Sequence, residues 1–153
     1  MEHKYADIFI DAWNTVLESF SSKHILSTNV ETQSTVSIRD ISVSIGLVGD
    51  VDGQIFMSMD AQTGKSIASE MLGGMEIIDV DEVVKSAVGE LCNMVMGNAC
   101  SSISLETANV DITTPTVFSE ETLPEIRIKP LYSISFLFDD MDSIDFNVGV
   151  MSA

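Results

Sequence analysis

The sequence predicts a mixed α/β (α+β) fold in which antiparallel hairpins form one sheet packed against long helices. Three observations carry that prediction. Residues 41–59 alternate apolar and polar side chains on either side of a turn, residues 131–151 repeat the pattern, and apolar residues recur at helical spacing over 5–21 and over 80–105. The hairpins align at an offset of 91, which sets Val43 against Ile134, Ile45 against Phe136, Ile55 against Phe146, Met57 against Val148 and Met59 against Val150. Each is preceded by an amphipathic helix, so the chain reads as a duplicated unit with a pseudo-twofold repeat. With 153 residues and no Pro-, Gly- or Ser-rich linker between the halves, a single domain over 1–153 is expected.

The first helix places Phe9, Ile10, Trp13, Val16, Leu17 and Phe20 on one side and Asp7, Asp11, Asn14 and Glu18 on the other. The Ser- and Thr-rich stretch 22–40 alternates weakly through Ile25, Val30, Val36 and Ile38, which predicts one or two short strands. The first hairpin runs through Ile41, Val43, Ile45 and Leu47, turns at GDVDG and returns through Ile55, Met57 and Met59. Asp60 then caps a helix over 61–72 that stops at Gly73-Gly74. The longest helix runs from Val80 to about Leu105, with Asp79 or Asp81 as its cap and acids in the first turn, where the helix dipole favours them. The last hairpin sets Ile134, Phe136 and Phe138 beside Phe146, Val148 and Val150.

Twenty-four acidic against seven basic side chains give a formal charge of −17, which opposes binding to nucleic acid or to an anionic membrane surface. No apolar run approaches the 18 or so residues of a membrane span, and the first residues lack the basic-then-apolar order of a secretory signal, so a cytoplasmic protein is expected. Cys92 and Cys100, about 12 Å apart along one helix, are too distant for a disulfide and read as small buried hydrophobes. His3 and His24 stand in polar surroundings and read as surface residues. The acids at Asp50, Asp52, Asp139, Asp140 and Asp142 have the composition of a cation site. Turns favour Asp in any case, so no metal or cofactor of its own is expected.

At about 100° per residue, Val84, Val88, Leu91, Cys92, Val95, Ala99 and Ile103 of the long helix share an arc of roughly 120°. Ser86, Glu90, Asn93 and Gly97 share one of about 60° on a different face. Such a polar ledge is ordinarily a solvated surface. Two residues set this one apart: Asn prefers caps and turns to mid-helix, and Gly97 costs about 1 kcal/mol relative to Ala while opening space beside Asn93. Twenty-one residues separate Asn93 from Pro115.

The spacing Ser86-x3-Glu90-x2-Asn93, followed by Pro115, resembles the signature of the CheC/CheX/FliY family of CheY-phosphate phosphatases. There an Asp or Ser, a Glu and an Asn at these spacings precede a Pro after about twenty-two residues, one more than here. Within the family the chain is most similar to CheX, which keeps one motif, whereas CheC carries a second on its first helix. Here Asp7-x3-Asp11-x2-Asn14 has the spacing but an Asp in place of Glu and no later Pro, and reads as a vestige. The resemblance implies a phosphatase that hydrolyses the aspartyl phosphate of a CheY-like receiver domain in chemotaxis or related two-component signalling. Asn93 would place the attacking water and Glu90 would pair with the receiver's lysine. Ser86, Gly97 and Pro115 would line the contact with the substrate protein. It further implies Mg2+ held by the receiver's carboxylates and a homodimer joined through sheet edges. The competing expectation is a non-catalytic adaptor that binds a receiver domain or a flagellar component through the same helix.

Overall fold

In the computed structural model, which describes residues 3–36, 38–106, 109–119 and 126–152, seven strands form one sheet with helices packed on it. The elements are α1 (Ala6–Phe20), β1 (Ile25–Thr32), β2 (Ile41–Gly49), β3 (Val51–Met59), α2 (Ala61–Met71), α3 (Glu82–Glu106), β4 (Val110–Ile112), β5 (Thr116–Ser119), β6 (Tyr132–Phe138) and β7 (Ser143–Ser152). None of the described helices is long and apolar enough to cross a membrane.

The strand order is β1-β6-β7-β3-β2-β4, with β5 also paired to β2, and every pairing is antiparallel. Read from either end, an edge segment is followed by the first and then the second strand of a hairpin, and β3 meets β7 at the centre. The predicted repeat is therefore a pseudo-twofold relation in which β2 corresponds to β6, β3 to β7 and β1 to β4 with β5. The helices share it. Shifting α1 by 79 residues places Phe9 on Val88, Trp13 on Cys92, Val16 on Val95 and Leu17 on Met96, and all eight are buried.

Two expectations need correction. A uniform offset of 91 does not reproduce the second hairpin, because Val43 pairs with Met57 whereas Ile134 pairs with Phe146 and Tyr132 with Val148. The counterpart of Met57 is thus Phe146 and that of Ile55 is Ile144. Side chains alternate with period two, so a slip of two residues leaves the apolar pattern intact and pattern alone cannot detect it. Val36 and Ile38 belong to no strand. Next to them, the Arg39 N–H donates to the Ser58 side-chain Oγ at 2.7 Å and not to a strand carbonyl.

The core lies between the helices and one face of the sheet, where odd-numbered β2 and β3 residues meet even-numbered β6 and β7 residues. Trp13 and Phe9 pack their rings on Phe146, and Trp13 also meets Phe136. α2 begins as predicted, with the Asp60 carboxylate accepting the Thr63 N–H at 2.8 Å. It ends at Gly73 and Gly74, whose φ of 76° and 95° lie in the left-handed region that favours glycine.

Candidate active site

The Asp81 carboxylate accepts the Val83 and Val84 N–H groups at 3.1 and 3.2 Å, so Asp81 rather than Asp79 caps α3. The predicted apolar stripe is buried at every position, and Ala87, Met96 and Cys100 widen it. Packing against α1, α2 and the edge of the sheet fixes the rotation of the helix, and the ledge follows from that phase. Ser86 and Glu90 are exposed, while Asn93, Gly97 and Pro115 are half-buried. Among the described residues, Ser86, Glu90 and Asn93 direct no side-chain hydrogen bond or ion pair back to the chain, which leaves their polar atoms available to a partner.

A cleft of about 520 Å³ separates α3 from the sheet edge and is lined by Glu82, Lys85, Ser86, Gly89, Glu90, Pro115 and Val117. Gly89 sets its width, because a Cβ there would stand 3.1 Å from Val117 Cγ2. The far wall is held by Thr113, which donates its N–H to the Gly46 carbonyl at 3.0 Å and accepts the Gly46 N–H on Oγ1 at 2.8 Å. Pro115 follows two residues later, between β4 and β5. The structure thus brings Ser86, Glu90 and Pro115 to one cleft.

Asn93 and Gly97 lie outside that cleft. Gly97 lines a second one of about 580 Å³ with Cys100, Ser101, Ser104, Leu105, Val110, Asp111 and Ile112. Asn93 lies on α3 between Glu90 of the first cleft and Gly97 of the second, and a Cβ added at Gly97 would meet no heavy atom within 4 Å, so the space one turn beyond Asn93 is open. Val117 and Lys85 were missed from sequence. A four-residue strand carries too little alternation to announce Val117, and a helical lysine reads as solvated surface. The available signal for Lys85 was its isolation as the one cation between Lys65 and Arg127.

The acids considered for a cation site are otherwise engaged. Lys23 Nζ donates to Asp140 and, at 3.1 Å, to Asp142. His24 pairs with Asp139, Asp52 with Arg127, and Asp50 accepts the Asn109 N–H at 3.0 Å. His24 is exposed as expected, but half-buried His3 hydrogen-bonds Thr32 and packs its ring, tilted by 54°, against Tyr132. Burial pushes the Cys92 thiol up to about 12 and, with Asp111, raises that of Cys100. Both cysteines are buried, as expected, and poor nucleophiles. On α1 the exposed Asn14 turns its amide onto the Ile10 carbonyl at 3.1 Å.

Residues 41–137, which include Ser86 to Pro115, match the family described as chemotaxis phosphatase CheX. The chain is 39% identical over 94 residues to the CheY-P phosphatase CheX of Thermotoga maritima, covering 59% of this chain and 61% of that protein, so the alignment spans about three fifths of the relative's length. Two solved structures share the fold. The CheX–CheY–BeF3–Mg2+ complex from Borrelia burgdorferi gives a TM-score of 0.81 at 24% identity, covering 97% of this chain and 99% of the other. The chemotaxis protein CheX of Desulfovibrio desulfuricans gives 0.80 at 23%, with the same coverage.

Proposed function

The chain belongs to the CheX family of chemotaxis phosphatases, and we propose that it hydrolyses the aspartyl phosphate of a CheY-like receiver domain in the cytoplasm. The observation that carries this reading is the α3 ledge, with Glu90 and Asn93 one turn apart, free of intramolecular partners, beside a glycine that leaves the approach open. An aspartyl phosphate is a mixed anhydride that needs little acid or base assistance. Catalysis then consists mainly of placing water in line with phosphorus and accommodating the charge.

The Asn93 carboxamide suits both tasks. Its oxygen accepts a hydrogen bond from the attacking water, and its amide group donates to a phosphoryl oxygen. As water oxygen bonds to phosphorus, the bond from phosphorus to the aspartyl oxygen breaks, releasing inorganic phosphate and restoring the receiver's carboxylate. Being neutral, Asn93 adds no repulsion to a dianionic group. Glu90 docks the helix through the lysine that a receiver holds beside its phosphoaspartate. Ser86 and Pro115 line the contact, and Gly97 gives clearance. Mg2+ is held by the receiver, and this chain supplies no ligand to it. The chain acts as a homodimer joined through a sheet edge. The exposed edge strand β1, with Leu26 62% accessible, supports that part of the reading, and light scattering of the purified chain tests it.

The catalytic assignment is tested by phosphorylating a CheY receiver with a small phosphodonor and timing the loss of phosphate. Asn93→Ala should lower the rate by about 100-fold or more with the fold intact. An unchanged rate removes Asn93 from the chemistry, and saturable binding without acceleration by the wild type assigns the chain an adaptor role instead.

A further inference from the structure

We infer that Lys85 is a positioning residue that pairs with an acidic side chain on the receiver's surface and fixes the rotation of the docked partner about Glu90. The inference rests on the phosphatase reading and adds a second contact to it. Among the described residues lining the 520 Å³ cleft, Lys85 is the one cation, and it shares that cleft with Ser86 and Glu90. Its ion pair is a contact of 3.5 Å with Glu82, one turn earlier, whose side chain is 92% exposed. Lys85 itself is 30% exposed, and with its partner carboxylate out in solvent the contact holds the ammonium weakly and yields it readily to an incoming carboxylate.

Two other cations of the chain are committed more firmly. Lys23 is buried among Asp140, Asp142 and Glu70, and Arg39 lies between Asp60 and Asp145. In a protein of charge −17, an acidic group on a partner is repelled by most of the surface and welcomed at few places. Lys85 is one of them, and it adjoins the ledge. Eight residues, or about 12 Å along the helix axis, separate it from Asn93, so a phosphoryl group beside Asn93 lies beyond its reach. Lys85 therefore acts on the partner's surface and not on the reacting atoms. Glu90 accepting a cation and Lys85 accepting an anion make two contacts of opposite sign. A partner docked the other way round would bring like charges together at both.

The test measures steady-state dephosphorylation of a phosphorylated CheY receiver by the wild type, Lys85→Gln, Lys85→Glu and Lys85→Arg, at low and at high ionic strength. Lys85→Gln should raise KM about two- to fivefold at low salt, Lys85→Glu more, and Lys85→Arg should restore the wild-type value. kcat should stay the same throughout, and the differences should shrink at high salt. Glu82→Gln, which releases Lys85 within its own helix, should lower KM at low salt. A KM for Lys85→Gln equal to that of the wild type at low salt, or a fall in kcat alone, overturns the inference and leaves the phosphatase reading standing. Absence of acceleration by the wild type overturns that reading, and this inference with it. Circular dichroism melting of each variant separates a docking effect from loss of fold.

Discussion

A methyl group at Gly97 has room on every side, yet the position is a mid-helix glycine, the residue type that costs most there short of proline. Stability therefore gives no reason for it. Gly97→Ala should raise the stability of the protein by up to about 1 kcal/mol, read from the midpoint of urea unfolding, while slowing receiver dephosphorylation by crowding the approach to Asn93. A gain in stability without loss of rate would deny the glycine its place at the contact. Gly64 is the internal contrast, because its Cβ would stand 2.4 Å from Ile41 Cδ1, where α2 lies on β2, and no alanine fits without a shift. Asn93 and Gly97 were legible in sequence because each is a poor helix residue on a good helix. Lys85 breaks no local rule, and only the cleft gives it a role.

Helices of this length were legible because one face of each is apolar over several turns, and the cap of α2 because Asp60 precedes the apolar phase directly. β4 and β5, of three and four residues, carry no readable period. They form by pairing with opposite ends of β2, and that tertiary contact supplies what propensity does not. The joint between elements was equally hidden. Lys23, on the connection from α1 to β1, draws together α2 through Ser66 and Glu70 and the β6–β7 turn through Asp140 and Asp142. Its side chain is 3% exposed, so Lys23→Ala strands several carboxylates and should cost about 3 kcal/mol in urea unfolding, the lower end for a broken buried pair because Asp140 stays partly solvated.

That joint and the cap of α2 both contribute to the response to acid. Burial works against the charged forms of Asp60 and Asp140. The Thr63 and Arg39 hydrogen bonds on the first and Lys23 on the second outweigh it, so both carboxyls sit below their ordinary value of 3.8. A depressed folded value contributes stability above the unfolded pKa, and that contribution is lost as pH falls through the folded one. Stability should thus hold down to about pH 4 and fall steeply below it. In Asp140→Asn the acid limb measured by denaturant titration should be flatter; an unaltered limb would remove Asp140 from it.

At the scale of the molecule, the symmetric order of strands puts the second strands of both hairpins side by side at the centre, where Met57 faces Phe146 and Ile55 faces Val148. Sequence showed the repeat but not its register, since alternation survives a two-residue slip. It also hid the exchange by which the edge segment of each half pairs with the hairpin of the other: β1 joins β6, while β4 and β5 join β2. That exchange has a mechanical consequence. Neither half can keep its edge without the other, and Phe146, from the C-terminal hairpin, packs its ring on Phe9 and Trp13 of the N-terminal helix. The chain should accordingly unfold as one cooperative unit. Trp13, the sole tryptophan, reports the centre of the core by fluorescence, and far-ultraviolet circular dichroism is weighted toward the 25 residues of α3. The two probes should give one coincident transition in urea. Phe146→Ala should displace both by the same amount, about 3–5 kcal/mol. If the fluorescence midpoint moved while that of α3 stayed in place, the halves would be separate units, and the geometry of the ledge would owe nothing to α1.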